Sequence, residues 1–295
     1  MSEYVIVTDS GSDISVELIS ELGIGVMPIH YNLDGKEYMN YPDHSEYSVS
    51  DFYAAIKSGK PVSTAALNMV DIEDALTPYL KDGKDVIYIV FSSGLSSTYQ
   101  NARNTVETLR EEYPDRKIEA VDSLCASFGQ GLLVYLCAKK KEAGATFEEV
   151  VEYANEIKHN IVHEVTVDDL GQLKRGGRIS PTTAFFGSVL QIKPMIYVSP
   201  EGKLVSYDKK RGRQAAIKAL SDKIVEQCCD EADTPIFISH GDCEDDALTV
   251  ADMIRAKLPN KKFFMNYIGP VIGGHSGYKT LAVFCVTDNG RGVRG

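Results

Sequence analysis

Short apolar runs rich in β-branched residues alternate with amphipathic helical patterns through the first half of the chain. Strands are predicted at residues 4–8, 86–91 and 118–121, and helices near residues 15–22, 97–112 and 128–142. Because strands that alternate with helices in this way form a parallel sheet covered by helices, the pattern predicts an α/β fold. We therefore expect an N-terminal three-layer domain built on a parallel sheet.

The pattern changes after about residue 160. Strand candidates at residues 161–167, 195–198, 204–207, 235–239 and 281–287 are interrupted by helical patterns near residues 182–190, 213–228 and 244–258. Pro200-Glu-Gly-Lys203 supplies turn residues between two β-prone runs and predicts a hairpin. We expect a second α/β domain with a mixed sheet at residues 161–288, after a first domain at residues 1–160, and a flexible tail at residues 289–295.

Composition disfavours several classes of protein. The 295 residues carry 31 Lys and Arg against 42 Asp and Glu, a formal net charge of −11, which argues against nonspecific nucleic-acid binding. Six cysteines without a C-x-x-C pair predict reduced thiols and neither a zinc cage nor a disulfide framework. With no signal-peptide pattern and no apolar stretch near the ~18 residues of a membrane span, we expect a cytoplasmic protein.

The motifs of the commonest α/β enzymes are missing. There is no G-x-S-x-G nucleophile elbow, no G-x-x-x-x-G-K-[ST] phosphate loop and no G-x-G-x-x-G after a strand. His159 and His163 are four residues apart, but the predicted helix ends between them, so their spacing does not predict a metal site. Hydrolase, NTPase and dinucleotide-dependent functions are disfavoured, and we expect no metal and no cofactor.

The segment FSSGLSSTYQNARN, residues 91–104, follows a predicted strand and opens a predicted helix. A helix N-terminus offers unpaired N–H groups and the positive end of the helix dipole, so clustered hydroxyls there can complete an anion site. Helix capping is the structural alternative, for which one serine suffices. The hydroxyls of the segment belong to Ser92, Ser93, Ser96, Ser97 and Thr98.

Two further segments carry groups of similar chemistry. Ser63 and Thr64 follow Pro61-Val62, and His275 stands among glycines in GPVIGGHSG, residues 269–277, where a ligand can approach the backbone closely. Hydroxyl and imidazole hydrogen bonds can hold a carboxylate or a phosphate without a permanent positive charge. A helix cap and a structural histidine are the alternatives.

Two basic turns stand out on this acidic chain. They are Lys174-Arg175-Gly-Gly-Arg178 and Lys209-Lys210-Arg211-Gly-Arg213. Both are candidate docking points for an acidic partner or a nucleotide, and solvated turns are the alternative.

Nine segments, in order along nearly the whole chain, resemble the DegV family of bacterial fatty-acid-binding proteins. They are VTDSGSD (7–13), PVSTA (61–65), FSSGLSSTYQNA (91–102), VDSLCASFGQG (121–131), LGQLKRGGRIS (170–180), IKPMIYVSPEGKL (192–204), KKRGRQAAI (209–217), ISHGDCEDDA (238–247) and IGPVIGGHSG (268–277). Each match is weak alone, but nine collinear matches indicate the family strongly.

The resemblance implies a two-domain protein that buries one long-chain fatty acid in a tunnel near the domain junction. It implies that the carboxylate is bound by Ser63 or Thr64, by Ser93 and by His275, with weaker candidates at Ser92, Ser96, Ser97, Gly274 and Ser276. Ser97 and Thr98 are more readily explained as caps of the following helix. Apolar residues expected to line the tunnel, with ordinary core positions as the alternative, are Phe185, Phe186, Val189, Leu190, Met195 and Ile196.

The resemblance also implies a partner. Such proteins are the acyl-binding subunit of a fatty acid kinase, in which a separate ATP-using subunit phosphorylates the carboxylate to acyl phosphate for phospholipid synthesis. Arg175, Arg178 and Arg211 resemble the surface that meets that kinase. We therefore expect a protein that is not catalytic alone and binds fatty acid but no nucleic acid. It should have no transmembrane segment, and transient contact with a membrane is compatible with that expectation.

Two rival hypotheses remain open at the level of sequence. A serine of residues 91–98 with His275 as base would make an acyl hydrolase. Alternatively, His275 would bind a small hydroxy-ketone, for which the cavity should be small and polar.

Overall fold

The computed structural model describes residues 3–168, 170–179, 191–231 and 233–292. The strands, in chain order, are β1 (Tyr4–Asp9), β2 (Gly25–Met27), β3 (Ile29–Leu33), β4 (Lys36–Asn40), β5 (Val62–Thr64), β6 (Asp85–Val90), β7 (Ile118–Asp122), β8 (Ile161–Thr166), β9 (Ile192–Val198), β10 (Leu204–Arg211), β11 (Ile236–His240), β12 (Phe263–Tyr267) and β13 (Leu281–Val286). The α-helices are α1 (Val16–Leu22), α2 (Val49–Lys57), α3 (Met69–Lys81), α4 (Thr98–Glu112), α5 (Phe128–Glu142), α6 (Phe147–Ile157), α7 (Gly171–Arg175), α8 (Arg213–Gln227), α9 (Glu244–Arg255) and α10 (Pro270–Ser276). None of the helices in these ranges combines the length and apolar character that crossing a membrane requires.

Four parallel strands in the order β2-β1-β6-β7 form the first sheet. β1 and β6 are buried along their whole length, as expected for central strands with helices on both faces. Because side chains alternate across a strand, Ile6 and Ile87 pack with α1, α5 and α6, whereas Val7 and Tyr88 pack with α3 and α4. The parallel sheet predicted for the first half of the chain is confirmed.

Six strands in the order β10-β9-β8-β13-β11-β12 form the second sheet. β11 and β12 are parallel, and every other neighbouring pair is antiparallel. The predicted mixed sheet is therefore confirmed, and so is the hairpin, in which β9 and β10 pair across the turn that begins at Pro200. α8 and α9 cover one face of this sheet through an apolar cluster that includes Leu220 and Val250.

Helix α5 lies between the two larger sheets. All its residues from Phe128 to Ala138 are buried. Its apolar side chains belong to one cluster with Ile87 of the first sheet and with Phe237 and Phe284 of the second. The two sheets therefore share a core through this helix. The division into domains at residue 160 falls just before β8 and stays a prediction.

A third sheet, with the order β4-β3-β5 and antiparallel pairing, was not expected from the sequence. β3 alternates buried and half-buried positions over only five residues, and β5 is three residues long, so neither gives a long apolar run. Tyr31 of β3 packs with Phe52 and Tyr53 of α2 in a separate aromatic cluster. The third sheet matters for the site because its strand β5 ends at Thr64.

The chain segment at residues 289–295, for which the sequence predicts flexibility, contains a buried residue, Arg291. Its backbone N–H donates to the carbonyl oxygen of His159 (2.7 Å), and Nη2 donates to the carbonyl oxygen of Pro200 (3.4 Å). Arg291 thus connects the end of the described chain to the turn between β9 and β10.

Candidate functional site

The hydroxyl-rich segment at residues 91–98 lies between the carboxyl end of β6 and the start of α4. Ser92 is buried, and its hydroxyl donates to the carbonyl oxygen of Gly202 (2.8 Å) and accepts from the backbone N–H of Gly94 (3.1 Å). Gly202 lies in the turn between β9 and β10. This serine therefore joins the first sheet to the second.

The other hydroxyl-bearing residues of the segment differ in their exposure to solvent. Ser93 and Ser97 are exposed, and the Ser93 backbone N–H donates to Asp122 Oδ1 (3.1 Å). Ser96 Oγ accepts from the Thr98 N–H (3.2 Å) at the start of α4. Ser97 occupies the N-cap position of α4, but its side chain makes no capping hydrogen bond, so the prediction that its hydroxyl caps the helix is wrong. Its backbone is already helical (φ −77°, ψ −2°), whereas a capping residue is extended.

A cavity lined mainly by apolar side chains lies against the second sheet, α10 and the loops at the carboxyl edge of the first sheet. The space free of protein atoms amounts to about 900 Å³, including the part open to solvent. One wall is a face of the second sheet, to which alternate residues of neighbouring strands contribute. These residues are His163, Val165, Ile196, Val198, Leu204, Ala282 and Phe284.

Thr64 and His275 meet at one end of this cavity. Thr64 ends β5, His275 lies in the last turn of α10, and Thr64 Oγ1 is 2.7 Å from His275 Nε2. Burial, followed by the positive charge of Arg178, lowers the pKa of His275 from 6.5 to about 4. The imidazole is therefore neutral at pH 7. We call this the polar end of the cavity.

Ser276 adds a second hydroxyl to the polar end. Its Oγ is buried and lacks a hydrogen-bond partner among the residues that the structure describes. A buried hydroxyl without a partner costs about 1–3 kcal/mol of desolvation. A ligand oxygen at this end would satisfy it.

Gly176, directly after α7, packs against the opposite edge of the His275 ring. A Cβ at this position would lie 2.4 Å from His275 Nδ1. Because the φ of Gly176 is −74°, an ordinary helical value, glycine is needed here for space and not for backbone conformation. The two contacts of the ring, with Thr64 and with Gly176, fix its position.

Arg178 also lines the cavity. Its Nε donates to the carbonyl oxygen of Leu95 (3.2 Å), and its Nη1 donates to the carbonyl oxygen of Gly176. From the sequence, this arginine is expected to contact a partner protein. No positively charged side chain is expected at the anion site. Arg178 turns inward because Gly177 adopts a left-handed conformation (φ +68°) that reverses the chain after α7.

Polar groups elsewhere in the cavity wall are paired within the protein. Ser127 Oγ donates to Asp13 Oδ2 (2.5 Å) and lies 3.0 Å from Ser239 Oγ. His163 Nε2 accepts from the Ala126 N–H (3.3 Å), and burial lowers the pKa of His163 to about 3, so this ring is neutral. Among the residues that the structure describes, the free hydrogen-bonding capacity of the cavity is therefore concentrated at the polar end.

The structure brings together only part of the predicted site. The predicted residues that line the cavity are Thr64, Ser96, Arg178, Ile196, His275 and Ser276. Those that do not are Ser63, Ser92, Ser93, Ser97, Gly274, Met195, Arg175 and Arg211. The tunnel residues suggested by sequence that lie outside the described residues are Phe185, Phe186, Val189 and Leu190.

Strand pleating explains two of these outcomes. Ser63 and Thr64 are neighbours in β5, so their side chains point to opposite faces, and only Thr64 lines the cavity. Met195 and Ile196 are neighbours in β9, and Met195 packs instead with α8 and α9. Sequence reasoning missed His163, although its position in a predicted strand could have suggested it.

The geometry does not support the rival hypotheses. Ser93 is exposed and outside the cavity, and Ser96, which lines it, is paired with Thr98 (3.0 Å between Oγ and Oγ1). His275 Nε2 lies against Thr64 Oγ1 and not against a serine of residues 91–98. A cavity with a mainly apolar wall does not fit a small hydroxy-ketone. Across the described ranges, no group of three or more His, Cys, Asp or Glu side chains is arranged to hold a metal ion.

Comparison with known proteins gives matches over nearly the whole chain. The model of the DegV family, described as "Uncharacterised protein, DegV family", matches residues 3–288. A DegV domain-containing protein of Clostridium perfringens is 41% identical over 288 residues, which are 98% of this chain and 99% of that protein.

Two solved structures agree with this match. DegV from Bacillus subtilis, described as a fatty acid binding protein, is 26% identical with a TM-score of 0.82 and covers 97% of this chain and 100% of its own. A fatty acid binding DegV family protein of Streptococcus agalactiae is 25% identical with a TM-score of 0.84 and covers 98% and 100%.

Proposed function

The chain belongs to the DegV family, and we propose that it binds a long-chain fatty acid in the cavity, with the carboxylate at Thr64, His275 and Ser276. One observation carries the proposal: a mainly apolar cavity has in its wall a buried hydroxyl, that of Ser276, which has no hydrogen-bond partner among the described residues. The fatty-acid binding described for the relatives from Bacillus subtilis and Streptococcus agalactiae supports it.

Both parts of such a ligand find matching surroundings. Burial of the acyl chain contributes about 0.8 kcal/mol per methylene. The carboxylate, which is costly to bury unpaired, accepts hydrogen bonds from the hydroxyls of Thr64 and Ser276. Because His275 is neutral, Arg178 supplies the positive charge at the polar end. The cavity contacts elements from both halves of the chain, in keeping with a tunnel near the domain junction.

We further propose that the bound carboxylate is presented to a separate ATP-using kinase, which phosphorylates it to acyl phosphate for phospholipid synthesis. Arg175 is exposed and directly precedes Gly176, which touches His275, so a partner on Arg175 would be close to the polar end. Arg211, exposed at the end of β10, is a second proposed contact. In this scheme the chain is cytoplasmic and performs no catalytic step of its own.

Mass spectrometry of organic extracts from the natively purified protein tests fatty-acid binding. We expect a stoichiometric amount of long-chain free fatty acid, and the delipidated protein should take up added fatty acid again. An extract without fatty acid, from a protein that also fails to bind added fatty acid, would contradict the proposal.

The kinase step needs its own experiment. Fatty-acid-loaded protein mixed with ATP and a bacterial fatty acid kinase should yield acyl phosphate. Arg175→Ala should slow this reaction without changing fatty-acid retention. Arg103→Ala, at an exposed position of α4, is the matched control and should react like the unmodified protein. Equal rates for the two variants would contradict the proposed docking surface.

A further inference from the structure

Gly129 lies in the first turn of α5 and has no room for a side chain. A Cβ there would lie 2.3 Å from His163 Nε2 and 2.7 Å from Phe284 Cδ1. Both rings line the cavity, and they pack edge to face with centroids 5.1 Å apart. The missing side chain of Gly129 therefore allows the two rings to lie close to α5, back from the cavity.

The ring pair lies away from the polar end. Thr280 Oγ1 donates to the carbonyl oxygen of Gly277 (2.8 Å), the residue directly after α10 and Ser276. From Thr280, alternate residues through Phe284 line the same wall, and a strand rises about 3.3 Å per residue. Phe284 is thus about 13 Å along the wall from Thr280, the residue that contacts the end of α10. His163 is the registered neighbour of Phe284 on β8.

The surroundings of the His163 and Phe284 rings determine the direction in which these rings can move. The Ala126 N–H, directly before α5, donates to His163 Nε2 and holds that ring toward the helix (3.3 Å). Phe284 belongs to the apolar cluster built around α5, so its ring is also packed on the helix side. The side opposite α5 is the cavity that both rings line. A group added at Gly129 would therefore push the rings into the cavity.

We propose that Gly129 determines the acyl length that the cavity accepts, by letting the rings of His163 and Phe284 lie back from its distal end. The inference rests on the proposed function, since it concerns the same ligand. Gly129 itself does not line the cavity and acts through the two rings. Each terminal methylene that loses its place in the cavity weakens binding about fourfold.

Gly129→Ala tests the inference, with Gly131→Ala as the matched control in the same helix. A Cβ at Gly131 would meet Phe128 (2.7 Å) and the carbonyl oxygen of Ser12 (2.9 Å), neither of which lines the cavity. We expect the fatty acids extracted from Gly129→Ala to be shorter than those of the unmodified protein. Gly131→Ala should keep the original distribution of chain lengths.

Phe284→Leu provides a second test in the opposite direction, should Gly129→Ala fail to fold. Removing ring atoms lengthens the cavity at its distal end, so this variant should retain longer fatty acids and bind them more tightly. Affinities of the delipidated proteins for a series of saturated fatty acids give the same comparison quantitatively. Circular dichroism confirms that each variant is folded.

The outcomes distinguish the inference from the proposed function. Fatty acids of the same length distribution in the unmodified protein, Gly129→Ala and Phe284→Leu would overturn the role of Gly129 and leave fatty-acid binding intact. A shift in Gly131→Ala as large as that in Gly129→Ala would also overturn it. Absence of fatty acid from every sample would overturn the proposed function itself.

Discussion

His275 Nε2 lies 2.7 Å from Thr64 Oγ1, although 211 residues separate the two in the chain. The contact joins the last residue of a short strand in the third sheet to the last turn of α10. Gly176 closes the other edge of the ring, so three distant segments meet at one imidazole. The polar end of the cavity therefore exists only in the folded protein.

Thr64→Val and His275→Gln should weaken fatty-acid binding. A hydrogen bond to a charged group contributes about 1.5–3 kcal/mol, so Kd should rise about tenfold to a hundredfold. Calorimetric titration of the delipidated proteins measures the change. Ser63→Ala, in the same strand but on its exposed side, should leave Kd unchanged. A larger loss in Ser63→Ala than in Thr64→Val would contradict the assignment.

Gly176→Ala should weaken binding as strongly as His275→Gln does, because the added methyl group lies 2.4 Å from His275 Nδ1 and must displace the ring. Gly177→Asn is the matched control, since a Cβ there meets nothing within 4 Å and asparagine tolerates its left-handed conformation (φ +68°). The same titration compares the two variants. An unaffected Gly176→Ala would show that the ring position does not matter.

Arg178→Gln should raise the pKa of His275. The guanidinium charge disfavours the imidazolium form, so its removal should move the pKa upward from about 4. Burial, the larger cause, remains, and the pKa should stay below 6.5. Nuclear magnetic resonance titration of the imidazole resonances in the delipidated protein gives the value. Arg175→Gln is the exposed control, and a larger shift in this variant would argue against Arg178 as the cause.

Asp13→Asn should change how stability depends on pH. Burial raises the pKa of Asp13 from 3.8 to about 8, so the folded protein retains a proton that the unfolded chain releases. This contribution to the free energy of unfolding is fully present below pH 3.8 and is lost as the pH rises through about 8. The unmodified protein should therefore lose stability relative to Asp13→Asn between about pH 4 and 8.

Urea denaturation across this pH range measures the difference between the two proteins. Asp74→Asn, at an exposed position of α3, controls for the loss of one carboxylate. Parallel stability curves for the unmodified protein and Asp13→Asn would rule out the linkage.

Ser92→Ala and Ser93→Ala should differ sharply in stability. Removal of the Ser92 hydroxyl leaves the carbonyl oxygen of Gly202 and the N–H of Gly94 without this partner, at a cost of about 1–3 kcal/mol in the free energy of unfolding. Ser93 is exposed, so its replacement should change that free energy by less than about 0.5 kcal/mol. Urea denaturation of both variants measures the two free energies of unfolding, and equal values would contradict the structural role of Ser92.

The three sheets differ in how well the sequence predicts them. β1 and β6 are buried along their length, and strands of this kind are mostly apolar, so the sequence pattern identifies them. β3, β4 and β5 are short and carry polar or exposed residues, so they leave no comparable pattern. β3 and β4 are neighbours in the chain, but the pairing of β5 with β3 joins distant residues, such as Asn32 and Ser63.

The candidate site shows the same limit. Residue type and neighbourhood were enough to select His275 and the pair Ser63 and Thr64, because hydroxyls and a histidine among glycines suit anion binding. The choice of Thr64 over Ser63 depends on which face of β5 meets α10. The buried Ser92, the exposed Ser93 and the half-buried Ser96 cannot be told apart by sequence, because all three share one short segment and similar neighbours.

Local sequence patterns predict the α/β class, the two larger sheets and the family, because alternating patterns and collinear motifs depend on residues that are close together in the chain. Only the tertiary structure determined which groups face the cavity. Pairing of strands decides which of two adjacent side chains points inward, and the turn at Gly177 brings Arg178 to the cavity wall. Such choices depend on contacts between residues far apart in the chain, and a linear pattern does not contain them.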